Sequence, residues 1–247
     1  MTKRRTCRPI PLDPELSASD LELYSFATGS DPPTGVPEWH RRWSTPHGAS
    51  ENTQEIIDRF GCDVLRRFSE ELFNANKPIG ILTSRRATTQ QSWTNWLVLR
   101  RASCPTDSLS VTEILKAEPG DFCFLHEPSL SLPVDGHSLT LVQRFFAAFG
   151  GLRDTAPFFG SDYFWEYPGK MTRRAITSRV HKQPLWIDSD AIHTRGNCDY
   201  LLLNKNGTVG YMPIEPERLI QVYAETFEEA LFKWINDPLR GWDTGNY

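Results

Sequence analysis

Arg144–Asp154 reads RFFAAFGGLRD. An aromatic-rich apolar run is followed by two glycines, and the glycines by an Arg and an Asp. Glycines that open a helix let its amides and positive dipole end cradle a phosphate. The order here is the reverse. Leu139, Val142, Phe145, Phe146 and Phe149 recur at helical spacing, Ser138 is the expected N-cap, and Gly150 and Gly151 follow the last apolar residue. That is the place of a left-handed C-cap, where glycine avoids the Cβ penalty. No Gly-Lys-Ser/Thr follows. The stretch stops a helix, and the chain reads as a protein that holds another molecule rather than as a phosphate-handling enzyme.

Downstream, Pro157 to Lys182 is turn-rich, and PFFGSDYFWEYPG within it is dense in aromatics. It reads as a packed loop or as a partner-facing patch, since aromatics are favoured interface anchors. QPLWIDSD (183–190) reads as a short strand ending in acids. Tyr200–Leu203 and Val209–Met212 form a hairpin, with Asn206-Gly207 supplying the positive φ angles of a type I′ turn. ERLIQVYA reads as another strand. TFEEALFKWIND then reads as a helix with Thr226 as N-cap, Glu229 as its capping-box partner, and an apolar face of Phe227, Ala230, Leu231, Trp234 and Ile235. Pro238 stops it.

Upstream, Ile56, Ile57, Phe60, Val64, Leu65, Phe68 and Leu72 predict one helix over about Asn52 to Asn74, ended by Lys77-Pro78. IGILTSRR and SWTNWLVLRR read as strands, and uniformly apolar Trp96 to Leu99 marks the second as central. Arg85-Arg86 and Arg100-Arg101 are expected at solvated strand ends. SVTEILKAEPGD predicts a short helix capped by Ser110 and boxed by Glu113, and FCFLH a strand. Residues 1–50 read as an extended or loop-rich arm. Its Trp39 and Trp43 are expected to pack, because a Trp left in water forgoes roughly 1.5–3 kcal/mol of burial.

The succession of a helix ending in Gly-Gly, a WIDSD strand, a hairpin and a closing TFEEAL helix resembles the SUKH superfamily. These are α+β domains found among bacterial toxin-immunity proteins and in a yeast cell-wall regulator. The resemblance rests on Phe146 to Leu152, Leu185 to Tyr211 and Val222 to Ile235, and spans roughly Pro128 to Asp237. The family's compact Gly-Asp before the apolar strand is here spread over RGNCDY, between Gly196 and Asp199. The resemblance implies a non-enzymatic binding module, often one that neutralises a toxin, and brings no catalytic residues.

Chemistry-bearing residues are dispersed. The five cysteines lack metal-finger spacing, so reduced thiols in a cytoplasm are expected. The six histidines form no His-Glu-x-x-His. His193, Cys198 and Asp199, in an expected turn, could ligate a metal. Cys123 and His126, three apart on a strand, point to opposite faces, which argues against a thiol nucleophile. No Gly-x-Ser-x-Gly occurs. A net charge of −4 and a pI near 5.9 argue against a general nucleic-acid binder, and no stretch approaches the ~18 apolar residues of a membrane span. Residues 183–247 hold ten carboxylates against five Lys/Arg, which suits a basic partner or a solvated face.

The expectation is an α+β protein with a mostly antiparallel or mixed sheet flanked by helices. Residues 1–50 form the arm, 51–127 a helix-plus-strand region packing on the same core, and 128–247 the SUKH-like domain. The expected function is a non-catalytic protein-binding module of the immunity type, with no cofactor, whose aromatic and acidic surface occludes a toxin domain. Its partner-binding residues are Asp162, Tyr163, Trp165, Glu166, Asp188 and Asp190. Two alternatives stay open: a metal-dependent enzyme using Asp188 and Asp190 with His193, and a regulatory interaction protein.

Overall fold

The structure is a computed structural model that describes residues 21–28, 36–84, 95–102, 104, 110–116, 121–125, 140–149, 152–153, 164–165, 183–186, 189–194, 200–213 and 219–236. Over these residues ten strands form one antiparallel sheet in sequence order: β1 (Leu21–Ser25), β2 (Asn76–Ser84), β3 (Asn95–Arg101), β4 (Phe122–Leu125), β5 (Leu152–Arg153), β6 (Phe164–Trp165), β7 (Asp190–Thr194), β8 (Tyr200–Leu203), β9 (Val209–Met212) and β10 (Gln221–Ala224). Helices α1 (Glu38–Arg42), α2 (Pro46–Phe60) and α3 (Asp63–Ala75) lie between β1 and β2 in the chain. Helix α4 (Val111–Lys116) follows β3, α5 (Leu141–Phe149) follows β4, and α6 (Phe227–Asn236) follows β10. The fold class is α+β, as the sequence implies.

Strand β3 explains the apolar run at Trp96–Leu99. Side chains alternate across a strand, and here both faces are covered. Leu97 and Leu99 join Cys123, Leu125, Leu152, Leu201 and Val209 against the apolar stripes of α2, α3, α5 and α6. Trp96 and Val98 join Leu21, Leu82, Phe122 and Phe124 on the other face, where Ile114 of α4 packs. The register Leu97↔Leu125, Val98↔Phe124, Leu99↔Cys123 keeps each row on its own face. Phe68 of α3 is the hub of the helical side: its ring meets those of Phe145 at 5.3 Å, Phe149 at 5.2 Å and Phe232 at 6.3 Å.

The helix expected over Asn52 to Asn74 is two helices. Gly61 adopts φ 51°, ψ 40° and donates its N–H to Ile57 O at 2.8 Å. Cys62 is then extended, and Asp63 opens α3 with a carboxylate at the positive helix end. A continuous apolar stripe hid the break, because both helices face one core. The described part of residues 1–50 is also more regular than an arm. Strand β1 pairs with β2 from Leu21↔Ser84 to Ser25↔Gly80, and Trp39 and Trp43 are buried. Thr45 caps α2 by accepting from Gly48 N at 3.1 Å, with Pro46 at the first helical position.

Other local expectations shift by a residue or two. Thr140 caps α5, not Ser138. Its hydroxyl accepts from Gln143 N at 3.3 Å, and Gln143 Oε1 accepts from Thr140 N at 2.9 Å, a complete capping box. Thr226 accepts from Glu229 N at 3.1 Å as expected, but the Glu229 carboxylate reaches one residue further back, to Glu225 N at 2.9 Å. Ser110 accepts from Glu113 N at 3.2 Å. The β8–β9 loop is not a two-residue type I′ turn. Gly207 N donates to Asn204 O and Asn204 N to Thr208 O, both at 2.9 Å, with Gly207 at φ 93°. That is a three-residue loop closed by a left-handed glycine.

Two arginines hold helix ends. Arg144 Nη1 donates to Phe60 O at 3.2 Å, and Arg101 Nη2 to Ile235 O at 3.3 Å. Each sets a cation at the electronegative C-terminal turn of a distant helix, so Arg101 is not simply a solvated strand end. Arg67 of α3 also pairs with Glu228 of α6.

Candidate functional site

Of the six expected partner-binding residues, Asp162, Tyr163, Glu166 and Asp188 lie outside the described residues. Trp165 and Asp190 are placed by backbone register. Trp165 in β6 is opposite Leu152 of β5 and His193 of β7, and His193 is opposite Leu201 of β8. The row therefore begins and ends on leucines that are fully buried in the helix-covered core. Asp190 starts β7 opposite Leu203, with a register shift between Ala191 and His193. The structure thus brings Trp165, His193 and Asp190 onto two adjacent strands. His193 lies in a strand and not in the turn expected for it, and its proposed companions Cys198 and Asp199 are outside the described residues.

The strand expected over 183–190 is instead a turn that leads into one. Pro184–Trp186 is a single 3-10 turn, and Ser189 N donates to Trp186 O at 3.1 Å before β7 begins at Asp190. Proline at position 184 suits this, since its fixed φ favours turn starts. The turn is anchored to the sheet at three points. Gln183 Oε1 accepts Ile220 N at 3.2 Å, Asn204 Nδ2 donates to Leu185 O, and the buried Trp186 ring covers Gly210 of β9.

Around that anchor the surface turns apolar. Among the described residues the exposed large hydrophobics are Leu185 (52%), Leu219 (66%) and Val222 (46%). Val222 is the cross-strand partner of Gly210, the residue under Trp186. Leu219 precedes the residue that bonds Gln183, and Leu185 follows Gln183 by two. All three surround the same turn, at the β10 end of the sheet. Single exposed hydrophobics are ordinary, whereas their concentration in one place marks a contact surface. Sequence periodicity missed this patch, because Leu219 and Val222 read as ordinary strand residues.

Glu225, next after β10, is exposed, and Asp188 and Asp190 follow Trp186 closely in the sequence. Glu229, at the start of α6, has its pKa lowered, first by the hydrogen bond from Glu225 N and then by Lys233, whose ammonium lies 3.0 Å from it.

Elsewhere, Arg42, Glu51, Gln54, Glu55, Asp58 and Arg59 line a shallow open depression of about 600 Å³ on α2, where Arg42 and Glu55 pair at 2.7 Å. Among the described residues no group of three His, Cys, Asp or Glu side chains could hold a metal ion, and no helix is long and apolar enough to cross a membrane. No protein-family model matches the chain, and neither a curated protein nor a solved structure does.

Proposed function

We propose that this chain is a non-catalytic protein-binding module of the immunity type, which works by covering the active face of a toxin domain. The observation that carries the reading is the gathering of Leu185, Leu219 and Val222 around one anchored turn, with Asp188 and Asp190 close by in the sequence. An apolar centre with a polar rim is the anatomy of a protein interface. The SUKH-like order of elements between Phe146 and Ile235 points the same way. Asp162, Tyr163, Trp165 and Glu166 are proposed to extend the contact as a second, aromatic and acidic stretch.

The test is affinity capture with mass spectrometry, followed by titration of the purified partner. The product of the neighbouring reading frame is the first candidate. Two double variants, Asp188→Ala with Asp190→Ala and Asp162→Ala with Glu166→Ala, are expected to weaken binding while the far-UV circular dichroism stays native. Equal affinity in both variants would remove these residues from the interface, and turnover of a small molecule by the purified chain would remove the reading itself.

A further inference from the structure

We infer that Asn206-Gly207 is a latent self-modification site. The β8–β9 loop holds the Asn206 carboxamide ready to cyclise onto the Gly207 amide, one backbone hydrogen bond keeps the reaction from running in the folded chain, and the isoaspartyl product loosens the hairpin. This chemistry needs no partner protein and stands apart from the binding role proposed above.

The reacting atoms are neighbours in the chain. Gly207 N loses its proton and attacks Asn206 Cγ, and the carboxamide nitrogen departs as ammonia. The product is a five-membered succinimide built from Gly207 N and from C, Cα, Cβ and Cγ of Asn206. Water then opens the ring. Attack at Cγ leaves aspartate, whereas attack at the backbone carbonyl leaves isoaspartate, in which the main chain runs through Cβ and Cγ. Water enters, ammonia leaves, and nothing is oxidised or reduced.

The loop favours the closing of that ring. Asn206 is the one asparagine in the sequence that glycine follows, and a residue without Cβ leaves its amide open to approach. Asn206 is exposed, and a Cβ placed on Gly207 would meet nothing within 4 Å, so the ring and the water have room. Thr208 N donates to Asn206 Oδ1 at 2.9 Å. That donor polarises the carboxamide and meets the oxygen on which negative charge develops.

The nucleophile, however, is withheld. Gly207 N donates to Asn204 O at 2.9 Å, and Asn204 N to Thr208 O at 2.9 Å closes the loop around it. The Gly207 amide has to leave Asn204 O before it can deprotonate and turn toward Cγ, so only the locally opened fraction reacts. Asn204 also donates through Nδ2 to Leu185 O, which ties this gate to the turn at Pro184–Trp186. Isoaspartate at position 206 inserts a methylene into the backbone between Asn204 N and Thr208 O, and so loosens the closure.

The test incubates the full chain in mildly alkaline buffer, both folded and in urea above its unfolding midpoint. Digests are followed by mass spectrometry, with fragmentation to place the change. In urea, Asn206 is expected to convert before any other asparagine. In the folded chain it should convert at least about tenfold more slowly, as a gate that opens by local unfolding requires. Asn206→Gln, which would have to close a larger ring, should suppress the change at this position in both states. Asn204→Ala keeps the gating carbonyl but unties the loop from Leu185, so it should speed conversion in the folded chain and leave the rate in urea unchanged. The isoaspartyl protein, separated after refolding, should unfold at lower urea than the unreacted chain.

Equal rates in the folded and unfolded chains would overturn the gate. A first change at another asparagine would overturn the site. Folded Asn204→Ala reacting no faster than wild type would break the link to the Leu185 turn, and an isoaspartyl product as stable as the unreacted chain would refute the loosening.

Discussion

The ring of Trp186 occupies the space that a side chain at position 210 would need. A Cβ built on Gly210 would lie 2.6 Å from Trp186 Cζ3 and closer still to Cη2. Trp186 is 2% exposed and Gly210 is in a strand interior, where glycine is otherwise a liability. The turn that carries Leu185 is seated on the sheet by this contact.

Gly210→Ala should therefore destabilise by about 1–3 kcal/mol through overpacking. In a Trp186→Phe background the smaller ring leaves room, and the added cost should fall below about 1 kcal/mol, a coupling expected only of residues in contact. Urea unfolding of the four proteins measures it. Additive costs would mean that Trp186 does not rest on Gly210.

The break between α2 and α3 depends on one left-handed residue. Gly61→Ala should cost about 1–2 kcal/mol, the price of a Cβ in that conformation. Asp63→Asn is a milder change at the same junction, removing a charge from the first turn of α3. If Gly61→Ala instead raises the midpoint of urea unfolding, the two segments form one continuous helix, as the apolar periodicity alone suggests.

Glu229 makes stability depend on pH in a defined direction. Its pKa is lowered in the folded protein, chiefly by the Glu225 N–H and then by Lys233. A lowered carboxylate pKa contributes stability that is present above the unfolded value and lost as pH falls through the folded value. Its side chain is 42% exposed, so solvent keeps the effect small. Glu229→Gln should melt below wild type at neutral pH, and the gap should close as pH drops below the ordinary glutamate range. A gap that persists unchanged into strong acid would assign the effect to packing. Lys233→Met should reduce the gap at neutral pH, because it removes the second cause.

Much of the fold was legible before any coordinates. The β8–β9 hairpin has the boundaries that Tyr200–Leu203 and Val209–Met212 suggest, because a loop glycine and short apolar runs are local signals. Helix α6 starts at its Thr226 cap for the same reason. The centrality of β3 was legible because a strand covered on both faces cannot carry polar residues.

The errors share a cause. The strand expected over 183–190 has its composition, but Pro184–Trp186 is a turn held by Ile220, Asn204 and Gly210, which are remote in the chain. Helices α2 and α3 read as one because apolar periodicity reports which core a residue faces and not the direction of the axis. Of the expected aromatic and acidic surface, Trp165 and Asp190 look alike in sequence as candidates for contact, and register alone separates them: Trp165 is opposite Leu152 and His193, Asp190 opposite Leu203.

The sequence by itself determined the α+β class, the Ser110 and Thr226 caps, the two hairpin strands and the apolar stripes, since each is written in residues within a turn or two of one another. Only the tertiary structure decided that Leu185, Leu219 and Val222 share one surface and that Arg101 and Arg144 close distant helices. The physical reason is range: propensity and capping act over a few residues, whereas exposure depends on which distant segment comes to lie alongside.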